Sequence, residues 1–192
     1  MKRRYTMSAR ADAVQQTGER ILAAAFDRFT VALFDEVTLE QIAADAGVTV
    51  QTVIRRFGSK EGIVAALTQI REAEVTAQRG DAPVGDLEGA LANLVEHYEA
   101  EGDLMMHLLR QEHRVPAFAA VAARGRQIHA QWCARVFAPW LDARSGVDRR
   151  RLGAQLVATC DLYTWHLLRR QEGLSRRQTK TALLELVEGI LS

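Results

Sequence analysis

Residues 38–57 read TLEQIAADAGVTVQTVIRRF. Thr38 followed three residues later by Gln41 is the pattern of a capping box, in which hydroxyl and carboxamide satisfy N–H groups at a helix start. Ile42, Ala43 and Ala46 then fall on one face, and Gly47 stands where helices commonly end in a left-handed residue. Thr49 opens a second, shorter helix, with Val50, Val53, Ile54 and Phe57 as its apolar contacts and Val48 plugging the core beneath the turn. The small side chains Ala43, Ala44 and Ala46 allow the two helices to approach closely. The stretch spells helix, tight turn, helix, an arrangement whose second helix suits the DNA major groove.

Gln51, Thr52 and Arg55 lie away from those apolar contacts, with Arg56 toward the flank. Gln pairs with adenine N6 and N7, Arg with guanine O6 and N7, and a Thr methyl meets a thymine methyl. A solvated surface helix has a similar composition, so the neighbours decide. Helices starting at Thr38 and Ser59 each offer free N–H groups and a positive dipole end, and Lys60 stands at the second start. Both are phosphate-binding arrangements flanking a reading helix. The helix from Ser59 continues through Ile63, Val64, Leu67 and Ile70. An earlier one spans about Ala11 to Ala32, with Asp12 and Gln15 at its start and Ile21, Leu22, Ala25 and Phe29 on one face. Its pattern stops around Leu33–Val37. The first ten residues carry Lys2, Arg3, Arg4 and Arg10 and no acid. They read either as a frayed terminus or as an arm that sets Arg3 and Arg4 on phosphates.

The chain has 192 residues, 48% of them hydrophobic and 26% charged, enough for a packed core. Helix formers dominate, only three prolines occur, and no β-alternating run reaches strand length, so the expected class is all-α. The net charge of +1 leaves nucleic acid open, since distribution matters more than the sum. Cys133 and Cys160 match no CxxC or metal spacing and read as buried thiols of a reducing cytoplasm. The basic first residues are followed by no apolar h-region, so no secretory signal is expected, and no apolar run reaches membrane length. The five histidines form no metal pattern, and no nucleotide or hydrolase motif occurs. No catalytic residue, cofactor or metal is therefore expected.

Residues from about Glu19 to Leu67 resemble the DNA-binding domain of TetR-type transcriptional regulators. Arg20-Ile21-Leu22, Ala24-Ala25 and Phe29 match the family's first helix. Thr38, Ile42-Ala43, Ala46-Gly47-Val48, Thr52, Phe57 and Ser59-Lys60-Glu61 match its helix-turn-helix and the start of the next helix. Further on, Asp161…Trp165…Leu168 and Gly173-Leu174-Ser175 are similar to the family's last two helices. With the polar face read above, the expected base readers are Gln51, Thr52 and Arg55, and Val50, which replaces a residue commonly small in the family, adds a methyl contact. The phosphate contacts expected from the helix starts and the basic residues are Arg3, Arg4, Thr38, Thr49, Arg56, Ser59 and Lys60. The family usually has a phosphate-binding tyrosine where Ile54 stands, and Arg56 is expected to replace that contact as a charge-assisted one. Leu33 stands where the family commonly has glycine before the aromatic Phe34.

RGDAPVG, residues 79–85, is the linker candidate. It divides a helix-turn-helix domain, 11–62, from a ligand-binding and dimerisation domain, 79–192, with the helix of about 59–78 connecting them. The second domain reads as helices over Val84–Glu99, Asp103–Arg114, Pro116 to about Trp140, Val147–Gln171 and Ser175–Leu191, about nine helices in total. Tyr98, Met105, Met106, Leu109, Trp132, Val136, Cys160 and Tyr163 line a candidate pocket, ordinary core being the alternative. Leu152, Leu156, Thr159, Tyr163 and Leu167 form one apolar stripe; Leu183, Leu186, Val187 and Ile190 form another. Each is either core or partner surface by periodicity, and the family likeness implies a dimeric four-helix bundle. The expected function is a repressor released from a palindromic operator by a small-molecule effector, acting as a cytoplasmic homodimer with no membrane partner. The alternative is a helical small-molecule-binding or enzymatic domain with an incidental helix-turn-helix.

Overall fold

The computed structural model describes backbone from residue 2 and side chains from Asp12 to Ser192. It is all-α, with no strand among the described residues. The order is α1 (Lys2–Val31), a 3-10 turn (Phe34–Glu36), α2 (Leu39–Asp45), α3 (Val50–Phe57), α4 (Lys60–Gly80), α5 (Leu87–Leu109) and α6 (Pro116–Val136). Then come α7 (Ala138–Asp142), α8 (Gly146–Thr159), α9 (Leu162–His166) with a π turn (Leu167–Gln171), and α10 (Arg176–Leu191). The first helix is longer than expected. Asp12 and Gln15 lie inside it and cap nothing, because no Gly or Pro between Lys2 and Asp12 interrupts good helix formers.

Two compact units form. One holds the residues up to Arg71 together with Gln111–Phe118; the other holds Glu72–Arg110 and Ala119–Ser192. The division falls inside α4, and the 79–85 segment is no linker. Arg135 donates to Ala82 O and Arg79 O at 2.8 Å each, and Gly85 N donates to Val136 O at 3.0 Å. The Gly and Pro residues there make a turn, and these bonds fix it.

The first unit is built on Ile21, Ala25, Phe29, Phe34, Val37, Ile42, Ala43, Val53 and Ile63, all buried. The segment 111–118, which runs between α5 and α6, completes it. Phe118 packs edge-on to Phe34 and Phe29 with centroids 5.3 and 6.5 Å away, and Phe29 and Phe34 stack at 5.5 Å. Buried Gln111 accepts a 2.9 Å bond from Phe34 N, and Arg114 pairs with Asp35 at 2.6 Å. The sequence carries no sign of this, since there the segment only ends one helix and begins another.

The second unit has one core over α5, α6, α8, α9 and α10. α5 runs unbroken through Gly102, which lies in the gap between the expected helices Val84–Glu99 and Asp103–Arg114. That glycine serves packing: the Trp165 ring lies so close that a Cβ would collide with it. Trp165 Nε1 donates to Glu99 at 3.2 Å, Glu99 pairs with Arg169, and Arg170 stacks on the indole at 4.7 Å. Arg170 also forks onto Asp103 and holds that carboxyl below its usual range. The expected single helix 147–171 breaks at Cys160, and Asp161 caps α9 by accepting from Tyr163 N at 2.9 Å. Ser175 and Gln178 form a capping box on α10.

The two apolar stripes divide differently from the expected partner surfaces. Leu152, Leu156, Leu183 and Val187 are buried in the chain's own core, and Ile190 packs partly against it. A stripe repeating every three or four residues meets the nearest apolar face, here supplied by α5, α8 and α10 themselves. Thr159 is half-buried. Tyr163, Leu167 and Leu186 remain exposed, at 55%, 46% and 47%.

Candidate nucleic-acid interface

The helix-turn-helix is held by local chemistry that its residue types dictate. Thr38 Oγ1 accepts from Gln41 N at 3.2 Å while Thr38 N donates to Gln41 Oε1 at 2.9 Å, closing the box at the start of α2. Gly47 adopts φ 64°, a left-handed conformation that side chains with a Cβ resist, and Val48 N returns to Ala43 O at 2.9 Å. Val48 is half-buried in the turn. Thr49 caps α3, accepting from Thr52 N at 3.3 Å. Arg28 of α1 forks onto Asp45 at the end of α2, at 2.5 and 3.0 Å. The hydrogen bond from Arg28 draws the Asp45 carboxyl below its ordinary range. The pair ties two helices of the motif together and has no counterpart in the sequence motifs.

On α3, Val53 is buried and Val50 and Phe57 are half-buried, which turns Gln51, Arg55 and Arg56 to solvent. Thr52 is half-buried, and its hydroxyl lies 3.0 Å from that of Thr49, so these two are engaged with each other. Ile54 is exposed at 47%, an aliphatic side chain on the outer face where it can donate no bond. Arg56 lies with its guanidinium against the Cα of Gly18 in α1 and 5.7 Å from the Phe57 ring. Gly18 is buried beneath it. The position of Arg56 is thus set by α1 as well as α3.

The start of α4 departs from the expected phosphate clamp. The Lys60 ammonium turns inward, donating to Phe34 O and Val37 O at 2.7 Å each and lying 4.4 Å from the Phe34 ring centre. A lysine at a helix start is free to snorkel outward, but here the 3-10 turn presents Val37 O and Phe34 O, the latter also accepting from Val37 N at 3.3 Å. Ser59 Oγ accepts from Gly62 N at 3.3 Å, and its hydroxyl hydrogen-bonds to Glu61, holding that carboxyl below its usual range. A carboxylate of the chain itself therefore sits at this helix start. The Arg3 and Arg4 side chains lie outside the described residues.

In the second unit, the expected pocket residues do not all come together. Tyr98, Met106, Trp132, Val136 and Cys160 are buried, with Met105 and Leu109 packed against the same core. Tyr163 points outward and lines no interior. No helix is long and apolar enough to cross a membrane among the described residues.

The fold and the site define an all-helical protein with an N-terminal helix-turn-helix and a separate helical unit. Residues 21–67 match the family model described as "Bacterial regulatory proteins, tetR family". Over those residues the chain matches that family's DNA-binding domain, and the whole chain shares the fold of solved structures described as TetR-type regulators. No curated protein matches its sequence. Among solved structures, a putative TetR-family transcriptional regulator from Rhodococcus sp. is similar at 16% identity and TM-score 0.65, over 92% of this chain and 99% of that one. SmeT in complex with triclosan is similar at 20% identity and TM-score 0.66, over 90% of each chain. Native NalD, the secondary repressor of the MexAB-OprM multidrug efflux pump of Pseudomonas aeruginosa, is similar at 20% and TM-score 0.61, over 92% of this chain and 96% of that one.

Proposed function

We propose that the protein is a cytoplasmic homodimeric repressor that reads a palindromic operator with α3 and leaves it when a small molecule binds the second unit. The observation that carries this is the outer face of α3: Gln51 and Arg55 exposed together on a short helix opened by the Thr49 cap, next to an α2 that the Arg28–Asp45 fork ties to α1. Gln51, Arg55, Val50 and the Thr52 methyl are assigned to base edges. Thr38, Thr49 and Arg56 are assigned to phosphates, Arg56 taking the place of the missing tyrosine at Ile54. SmeT, solved with triclosan, and NalD, a repressor, support effector release and repression by analogy of fold. No enzymatic step is assigned.

Dimerisation follows from the size of the site. One short helix contacts few bases, and two-fold pairing doubles the contacts. Tyr163, Leu167 and Leu186 are assigned to the dimer face because they are large, apolar and exposed on α9, its π turn and α10. Leu152, Leu156, Leu183 and Val187 are assigned to the core only. For coupling, the segment 111–118 is assigned as the relay. Its Gln111 and Phe118 hold the Phe34 turn, which Lys60 clamps to α4. An effector that shifts the helices flanking this segment would tilt α3 by moving that turn.

A gel-retardation series tests the DNA reading and separates two cations. Wild type is expected to retard a fragment of its own upstream DNA at low salt in the presence of non-specific competitor; no retardation contradicts the proposal. Arg56→Ala is expected to weaken binding to all sequences and to lower the salt slope by about 0.9. Lys60→Met is expected to leave the slope unchanged and instead to destabilise the first unit by about 2–4 kcal/mol, through loss of charge-assisted bonds to two buried carbonyls. A slope lowered by Lys60→Met would return that lysine to the phosphate contacts.

A further inference from the structure

The second unit contains a buried cation that pairs with no carboxylate among the described residues. Arg79, in the last turn of α4, is 4% exposed. Its Nη2 lies 3.1 Å from His129 Nδ1, and its guanidinium carbon lies 4.5 Å from the Trp132 ring centre and 5.8 Å from that of Tyr98. None of the ion pairs among the described residues includes it. Its Nε is buried without a hydrogen-bond partner, and so is Nε1 of Trp132, the ring stacked on it.

None of the surrounding groups gives its Nε an acceptor. A guanidinium donates only to an unprotonated Nδ1, so His129 is a neutral imidazole with its proton on Nε2, facing Val157 O at 3.0 Å and Cys133 Sγ at 3.7 Å. Tyr98 is kept protonated by burial, which pushes its pKa up, and its hydroxyl donates to Cys160 O at 3.0 Å. Asp161 is engaged in capping α9. Cys133 is drawn down to about 6, chiefly by a hydrogen bond from Cys160, with His129 and the charge of Arg79 adding to the shift, but its sulfur does not fill the Arg79 Nε position. Two buried N–H groups left without acceptors, one of them on a guanidinium, are costly to keep unless something binds them.

We propose that Arg79 and Trp132 Nε1 receive the anionic group of the effector, which is an organic acid with a flat apolar body. One carboxylate oxygen accepts from Arg79 Nε and the other from Trp132 Nε1. A charged pair of this kind is strong in a desolvated interior, and the Trp132 and Tyr98 faces favour a planar ring. The flexible side chains Met105 and Met106, on α5 in the same core, accommodate the remainder. This rests on the reading of the second unit as an effector domain.

The test uses the full chain with benzoate and its neutral amide, benzamide, as probes at constant ionic strength. Calorimetric titration and thermal unfolding are expected to show saturable binding and a rising Tm with benzoate and neither with benzamide. Trp132→Phe keeps a ring and removes the N–H, and is expected to weaken benzoate about tenfold. Arg79→Gln is expected to abolish binding; Trp132→Phe keeps the test decisive if that variant does not fold. No saturable benzoate binding, equal binding of benzamide, or an unchanged Kd in Trp132→Phe overturns the proposal. A protein that releases operator for benzamide as readily as for benzoate keeps the repressor reading and loses this one. A protein that binds benzoate and no DNA does the reverse.

Discussion

Gly62→Ala is expected to lower the stability of the protein by roughly 3–4 kcal/mol, near the top of the range for one substitution. It is also expected to abolish specific DNA binding at the temperatures where wild type binds. The reason is a single close approach. A Cβ at Gly62 would collide with the carbonyl oxygen of Phe57, the last residue of α3. That oxygen is backbone and is already fixed by a 2.9 Å bond from Ser59 N, so it cannot swing aside as a side chain would. Relief requires α3 to move relative to α4, which displaces Gln51 and Arg55. Gly125→Ala is the control. It is an exposed helical glycine with nothing near its Cβ, and alanine there should stabilise by about 0.5–1 kcal/mol. Thermal unfolding by circular dichroism checks both, with a loss of about 10 °C expected for Gly62→Ala. Equal stability of the two variants would show that the α3–α4 joint is less constrained than its geometry states.

Leu186→Arg is expected to keep the protein monomeric under conditions where the proposed homodimer forms, and to weaken operator binding roughly a hundredfold or more, the usual gain from joining two binding modules. Leu186 is nearly half exposed on α10, so the charge enters no core of its own chain. Leu183→Ala, one turn earlier and buried, should show the opposite pattern: about 2–5 kcal/mol lost from stability with the dimer retained. Sedimentation velocity separates the two. A Leu186→Arg protein that stayed dimeric would place the dimer face elsewhere.

The parts of this molecule that are legible in its sequence are those decided by local chemistry. The Thr38–Gln41 box, the Gly47 turn, the Thr49 cap and the exposed Gln51 and Arg55 all depend on residues within four positions of one another. The parts that the sequence misleads on depend on distant partners. Lys60 reads as a phosphate clamp because its two carbonyl acceptors lie on the Phe34–Val37 turn, more than twenty residues earlier. Gly102 reads as part of a gap between two helices because the Trp165 ring that needs its missing side chain lies far along the chain. Residues 79–85 read as a linker because the Arg135 that pins them is on α6. The stripes on α8 and α10 have the right periodicity for either core or dimer, and only packing assigns Leu152, Leu156, Leu183 and Val187 to the core. Arg79 gives no sequence signal, since a basic residue beside a Gly and an Asp reads as surface.

The most direct test of DNA reading by α3 is selection of binding sites from random DNA by the wild-type protein and by Arg55→Ala. Wild type is expected to enrich a palindrome, with half-sites spaced so that two α3 helices enter successive major grooves about 34–36 Å apart. Arg55→Ala is expected to keep that spacing, with preference relaxed at one symmetric position and affinity lower by about 1–3 kcal/mol. No enriched sequence, or a non-palindromic one that Arg55→Ala leaves unchanged, would contradict it.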